Sequence, residues 1–226
     1  MDADLHGCDD RDGRAVHGSD HVPVRKMRRF QNSETEQMAE ILRRNGCIAV
    51  PTDTVYGIMA AVNPTAREKL YEIKKRPKSK AFPLMFSDPA QLEEYVFADA
   101  RALAVIRAFL PGPLTLILPA RKSTEGQAEK SYAVRMADGV LRELIDRLEA
   151  PVYLTSANLS GMQECRTPEE IEQQCPALDG ILEGQPQFQK ASTIADLTGK
   201  EIRIIREGPV TMEEILRVID ERGTEV

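Results

Sequence analysis

An α/β body, a central sheet flanked by helices, is the fold class this sequence predicts. Three observations predict it. Apolar runs of strand length alternate with segments whose apolar residues recur at helical spacing. The alternation contains no internal repeat. The 226 residues, 42% hydrophobic and 29% charged, suffice to bury one sizeable core.

Residues 1–29 hold almost no large apolar side chain and mix six acids (Asp2, Asp4, Asp9, Asp10, Asp12, Asp20) with six bases (Arg11, Arg14, Arg25, Lys26, Arg28, Arg29), without periodicity. They read as a disordered tail before a domain at 30–226. From residue 30 the pattern is orderly. Asn32 or Ser33 starts a helix through Asn45, with Ser33 and Glu36 spaced as a capping box and Gly46 as the stop. A strand at 47–51 follows. Further helices are expected at 64–75, 89–97, 99–110, 138–149, 167–174 and 211–222. Strands are expected at 82–86, 114–119, 132–136, 152–155, 192–197 and 202–206. The clusters Pro111-Gly112-Pro113 and Gly184-Gln185-Pro186 are short enough to be turns, so no second domain is expected after residue 30.

Composition removes several classes of function. No stretch reaches the roughly 18 uninterrupted apolar residues of a membrane span, and the first residues lack the pattern of a signal peptide; a cytoplasmic protein is expected. Cys8, Cys47, Cys165 and Cys175 form no CxxC pair, and read as reduced thiols rather than a zinc knuckle or disulfide framework. All three histidines, His6, His17 and His21, lie in the tail, so the expected domain contains none. That excludes histidine base catalysis, Ser/His/Asp and Cys/His triads, and histidine-held zinc from the domain. A net charge of −6 argues against coating nucleic acid by charge alone and leaves room for a local basic cleft. Neither GxxxxGK[ST] nor GxGxxG occurs.

Polar clusters just after predicted strands are the candidates for chemistry. Val50-Pro51-Thr52-Asp53-Thr54-Val55-Tyr56-Gly57 is either an Asx/Thr turn or a hydrogen-bonding pocket for a small polar ligand. In Lys74-Lys75-Arg76-Pro77-Lys78-Ser79-Lys80 a helix ends in five cations. The helix dipole accounts for the first two, and the remaining three suggest a polyanion, triphosphate or RNA. Leu154-Thr155-Ser156-Ala157-Asn158-Leu159-Ser160-Gly161 offers hydroxyls and an amide beside a glycine, as a phosphate or ribose cradle would. Arg135, a cation inside an apolar strand, needs a buried anion or a ligand carboxylate. The same holds for Arg206. Ser192-Thr193-Ile194-Ala195-Asp196 adds hydroxyls and a carboxylate, whereas Cys165 and Cys175 suit neither a metal pair nor a nucleophile.

In this order the segments resemble the YrdC-type family of threonylcarbamoyl-AMP synthases, from the helix before Cys47 to the helix after Arg206. The resemblance rests on Pro51-Thr52-Asp53-Thr54-Val55-Tyr56-Gly57, Lys74-Lys75-Arg76-Pro77 leading to Pro83-Leu84, Pro111-Gly112-Pro113-Leu114-Thr115, Ala133-Val134-Arg135, Ser156-Ala157-Asn158-Leu159-Ser160-Gly161, Ser192-Thr193 and Arg206-Glu207-Gly208. It implies a twisted open mixed sheet with a basic concave face, in the short single-domain form of the family. The implied reaction joins L-threonine, bicarbonate or CO2, and ATP into L-threonylcarbamoyladenylate and pyrophosphate, for threonylcarbamoyladenosine in tRNA. A separate tRNA threonylcarbamoyl transferase complex would take the product.

The resemblance also implies roles. Lys74 and Arg76 are the catalytic pair, facing phosphates. Thr54, Tyr56, Arg135 and Ser156 hold L-threonine, with Arg135 gripping its carboxylate. Lys74, Arg76, Ser131, Asn158, Thr167, Ser192 and Arg206 hold ATP. Mg2+ accompanies ATP, with Asp53 and Asp196 as candidate carboxylates. The chain departs from the family pattern in its loop from Lys78 to Phe82, at Ser87, and over Met162 to Arg166. Two rival readings remain open, a non-catalytic tRNA or double-stranded RNA module and a related enzyme adenylating another carbamoyl donor. Only 5% aromatic residues and no tryptophan speak against single-strand stacking.

Overall fold

Helix starts follow local chemistry. The side chains of Asn63, Asp88, Asp99 and Thr167 each accept a hydrogen bond from the backbone N–H three residues on, and proline opens three of the four helices that follow. The computed structural model describes residues 27–124, 129–188 and 190–223. In chain order its elements are β1 (Arg28–Phe30), α1 (Thr35–Arg43), β2 (Cys47–Pro51), β3 (Tyr56–Ala61), α2 (Pro64–Lys74), β4 (Leu84–Phe86), α3 (Pro89–Tyr95), α4 (Ala100–Phe109), β5 (Leu114–Pro119), β6 (Ser131–Met136), α5 (Gly139–Leu148), β7 (Val152–Ser156), α6 (Pro168–Gln174), β8 (Gly180–Leu182), β9 (Thr193–Asp196), β10 (Arg203–Arg206) and α7 (Met212–Gly223).

The strands form one open mixed sheet in the order β1-β8-β2-β3-β7-β4-β6-β5-β9-β10. Antiparallel pairs (β2–β3, β3–β7, β7–β4, β6–β5, β9–β10) sit among parallel ones (β1–β8, β8–β2, β4–β6, β5–β9). This is the architecture expected.

Several local expectations need correction. The disordered tail expected to residue 29 lies outside the described residues up to residue 26, but Arg28 and Arg29 are in β1, paired with Gly180 and Ile181. Arg29 is held there by Glu169, Glu172 and Glu183. The capping box at Ser33 and Glu36 does not form. Gln31 and Glu34 make it instead, around a 3-10 turn at Asn32–Glu34, and the left-handed residue ending the helix is Asn45 (φ 63°), not Gly46. Three strands escaped the pattern. β1 and β8 are three residues each. β3 is buried on both faces, Ile58 and Ala60 in one core and Met59 in the other, so it lacks alternation.

The two cores define the site. One face of the sheet carries the larger core, with residues of α2, α3, α4, α6 and α7 packed on every strand from β2 to β9. On the other face α1 and α5 cover only part: Met38, Ala39, Leu42, Leu141, Leu144 and Ile145 meet residues of β1, β8, β2, β3, β7 and β4. No residue of β6, β5, β9 or β10 belongs to that second core. Among the described residues, no helix packs a core on this face beyond β4. There it becomes one wall of a cleft.

Candidate active site

Period-2 alternation aims the cleft residues. In β6, Tyr132, Val134 and Met136 go into the larger core, which leaves Ala133 and Arg135 on the open face. In β5, Leu114, Leu116 and Leu118 do the same and leave Thr115. Thr52, Thr54, Val55 and Gly57 of the β2–β3 turn, Arg76 and Pro83, Leu154, Thr155 and Ser156 at the end of β7, and Ala191, Ser192, Ile194 and Arg206 complete the lining. The cleft encloses about 700 Å3 of empty space, counted out to its mouth.

Three guanidiniums from three parts of the chain converge here. Arg135 is 7% exposed. Its Nη2 donates to Asp53 Oδ1 and, at 3.2 Å, to the Gly112 carbonyl; its Nη1 donates to Thr54 Oγ1 at 3.3 Å. Arg76 reaches the cleft because Lys75 caps α2 in the left-handed conformation (φ 48°) and turns the chain. Its Nε and Nη2 donate to the carbonyls of Lys80 and Ala81, and its guanidinium lies 5.1 Å from the Phe82 ring centroid. Arg206 donates from Nε to the Ser192 carbonyl (3.0 Å) and from Nη2 to Ser192 Oγ (3.1 Å), which in turn meets Thr115 Oγ1 at 2.8 Å. Burial lowers the pKa of both Arg76 and Arg206, and Arg135 lowers that of Arg206 further. Three cations, Arg135 buried, Arg76 half-buried and Arg206 more open, thus face one space, an arrangement suited to an anion.

Hydroxyls line the space between them. Thr52 Oγ1 donates to the Val55 carbonyl (2.7 Å), accepts the Thr54 N–H (3.1 Å) and meets Thr54 Oγ1 (2.9 Å), so the β2–β3 turn is both an ST turn and a pocket wall. Gly208 fixes the far side: a Cβ there would overlap the backbone N of Thr193, so only glycine brings the Arg206 loop this close.

Thr54, Arg76, Arg135, Ser156, Ser192 and Arg206 therefore share one cleft. Ser131 lies on the same face of β6, one step past Ala133 and outside the lining residues. The other predicted site residues are elsewhere. Lys74 is 1% exposed, and its ammonium donates to the carbonyl of Ser156, and at 2.9 Å to both the carbonyl and Oδ1 of Asn158. All three protons are used, and burial lowers its pKa to about 8. Asn158 completes the knot by accepting from Ser156 Oγ (2.7 Å) and donating to the Met162 carbonyl (2.7 Å). Lys74 and Asn158 thus tie the loop after β7 to α2 and do not line the wall. Tyr56 is fully buried and donates its hydroxyl to the Gly184 carbonyl (2.7 Å); Thr167 caps α6. Neither lines the cleft.

The five-cation run is not one surface. Lys74 points inward, Arg76 faces the cleft, and Lys78 pairs with Glu68 at 2.6 Å. The loop from Lys78 to Phe82 is pinned by Arg76 and by the Tyr71 hydroxyl on the carbonyls of Lys78 and Lys80. Ser87, buried, donates its backbone N–H to Gln91 Oε1 (3.0 Å) and does not line the cleft. Asp53 and Asp196, the candidate magnesium carboxylates, are committed to Arg135 and Arg203, and among the described residues no cluster of three or more His, Cys, Asp or Glu could hold a metal ion. Cys47, Cys165 and Cys175 are buried free thiols, as expected; burial pushes Cys47 and Cys165 up to about 12 and raises Cys175.

Sequence reading gave Thr115 no role, although it carried a signal as the polar residue out of phase with Leu114, Leu116 and Leu118. Thr155, one of the hydroxyls of the 154–161 segment, does line the cleft.

The family model Sua5_yciO_yrdC, described as "Telomere recombination", matches residues 40–208. The chain belongs to the Sua5/YciO/YrdC family. Within it, the threonylcarbamoyl-AMP synthase of Vibrio parahaemolyticus is 36% identical over 184 residues, covering 76% of this chain and 98% of that protein. That of Bacillus subtilis is 36% identical over 197 residues, 81% of this chain and 56% of its own length. The crystal structure of P. abyssi Sua5 complexed with L-threonine superposes with a TM-score of 0.79 at 28% identity, covering 86% of this chain and 61% of that one. The chain thus spans little more than half the length of these last two relatives. No helix among the described residues is long and apolar enough to cross a membrane.

Proposed function

We propose that this chain is a threonylcarbamoyl-AMP synthase, a nucleotidyltransferase that makes L-threonylcarbamoyladenylate, pyrophosphate and water from L-threonine, bicarbonate and ATP. The observation that carries the reading is the convergence of Arg76, Arg135 and Arg206 with Thr54 and Ser156 on one cleft, in a family whose relatives bear that name. The amino acid carboxylate would lie against Arg135 beside Thr54. Arg76 and Arg206 would take the phosphates, and the loop tied by Lys74 and Asn158 would seat the nucleotide.

The chemistry needs no protein nucleophile. The carbamate formed on the threonine amine attacks the α-phosphorus through its oxygen, an O–P bond forms, the bond to the β-phosphate bridging oxygen breaks, and pyrophosphate leaves. Positioning and charge neutralisation supply the catalysis, which suits a cleft of guanidiniums and hydroxyls without histidine. Mg2+ enters as the cation of the ATP substrate, carried by phosphate oxygens and water, which fits a site whose carboxylates are already paired. We place the protein in the cytoplasm, supplying adenylate to a tRNA-modifying transferase complex.

The test is pyrophosphate release by the purified chain with ATP, Mg2+ and bicarbonate, with and without L-threonine. Threonine-dependent release with a new adenylate species is the expected result. RNA binding without release would overturn the reading in favour of a binding module.

A further inference from the structure

The ion pair between Arg135 of the cleft wall and Asp53 behind it is incompletely satisfied. Arg135 and Asp53 have side chains only 8% and 15% exposed, yet each keeps one buried polar atom without a partner, Arg135 Nε and Asp53 Oδ2. A buried donor or acceptor left unpaired is costly, and native structures hold few of them. Here both belong to one contact. The distribution of the bonds that are made explains what the pair does.

Arg135 Nη2 has two hydrogens. One goes to Asp53 Oδ1 and the other to the Gly112 carbonyl, so that nitrogen is fully used. Nη1 spends one hydrogen on a long bond to Thr54 Oγ1. What remains for a ligand is the second hydrogen of Nη1, since Nε–H is itself buried without a partner. Asp53 on one side and Gly112 on the other therefore fix the guanidinium plane and decide which edges it offers. Asp53 can do this because it is held in turn. It sits within the four-residue turn between β2 and β3, between the mutually bonded Thr52 and Thr54, and its carbonyl accepts the backbone N–H of Phe188 (2.8 Å), which joins the turn to the loop leading into Ser192.

We infer that Asp53 is a positioning residue for substrate: its carboxylate orients Arg135, and through Arg135 the carboxylate of the amino acid substrate. This rests on the functional reading above and adds to it a residue that the cleft lining does not include. The sign of the effect separates this from simple electrostatics. A carboxylate beside Arg135 also repels the substrate's carboxylate, so if charge competition were its main effect, removing Asp53 would tighten substrate binding. If positioning is its main effect, removing it loosens binding.

The experiment is steady-state kinetics of pyrophosphate release by Asp53→Ala and Asp53→Asn, with the KM for L-threonine and for ATP measured separately and thermal melting checked. Asn keeps an acceptor for Nη2 and the shape of Asp while losing its charge. Positioning predicts a threonine KM raised at least tenfold in Asp53→Ala, substantially less in Asp53→Asn, and an ATP KM within twofold of wild type in both. In an Arg135→Lys background, Asp53→Ala should then have little further effect on the threonine KM. A threonine KM that falls in both variants, or that is unchanged in both, overturns the inference while leaving the activity assignment intact. Equal losses for threonine and ATP would make Asp53 a structural residue and also overturn it. If wild type itself shows no threonine dependence, the functional reading fails first. Should Asp53→Ala not fold, Asp53→Asn decides alone, since a fall in threonine KM still means competition and a rise without change in ATP KM still means positioning.

Discussion

Lys74 is the residue whose role the fold changes most. As the last residue of α2 it turns inward and spends three protons on the loop after β7, so its cost and its value are both those of a buried ammonium. In the unfolded chain it titrates near the ordinary 10.5, in the fold at about 8. Between these values the native state binds fewer protons than the unfolded state, so stability rises with pH across that window and the burial penalty is fully present below pH 8. A shift of this size corresponds to about 3 kcal/mol. Urea melts of wild type against Lys74→Met should show the wild type gaining on the variant from pH 8 toward 10, and a flat difference would remove this account. At neutral pH, Lys74→Ala takes a donor from all three acceptors and leaves the Asn158 carbonyl without one, since Ser156 Oγ still reaches Asn158 Oδ1 and the Asn158 N–H still reaches the Ser156 carbonyl. We expect a loss of about 1–3 kcal/mol together with a raised ATP KM, the threonine KM holding. Arg135→Ala should do the reverse in kinetics, raising the threonine KM at least tenfold and sparing ATP.

At the scale of elements, the site is built where two strands leave their open faces uncovered and where glycine lets a loop come close. Gly208 makes that approach possible, since any Cβ would meet the Thr193 backbone. Gly208→Ala should push the loop outward, carry Arg206 off Ser192 and raise the ATP KM severalfold, with the kinetics of ATP and threonine read separately. Packing on the covered half tests the opposite link. Leu144 in α5 is fully buried in the second core and is not itself a cleft-lining residue. Leu144→Ala should cost about 2–5 kcal/mol in chemical denaturation and leave both KM values unchanged below the melting transition. The helices were legible because period marked each of them and side-chain caps marked the starts of α2, α3, α4 and α6. β3 was not, because burial on both faces erases alternation.

The molecule as a whole is acidic, with net charge −6, while its cleft gathers three guanidiniums. Long-range attraction of a polyanion to such a body is weak, so binding must depend on short-range contacts inside the cleft. Raising salt from low to physiological strength should therefore raise the ATP KM modestly, by a few fold, since charges in contact inside a cleft are screened less than charges spread over open surface. A steep dependence, with a fall of orders of magnitude, would instead indicate a polyanion spread over the exposed surface. The five-cation run suggested such a surface from sequence. The fold divides it among an interior knot, the cleft and a surface pair with Glu68, because the left-handed Lys75 and Pro77 send successive side chains in different directions.

The sequence by itself determined the α/β class, seven helices to within a few residues, most strands, the absence of histidine from the expected domain and the family, because capping, periodicity and short motifs are local or order-dependent signals. Six of its predicted site residues, Thr54, Arg76, Arg135, Ser156, Ser192 and Arg206, meet in the cleft. Only the tertiary structure showed that Lys74 and Asn158 tie a loop, that Tyr56 and Thr167 bond outside the cleft lining, and that Asp53 pairs with Arg135. Those outcomes depend on which way a side chain leaves its element and what it meets there. Residues 82 positions apart, as Asp53 and Arg135 are, acquire a partner only when the sheet brings their strands together.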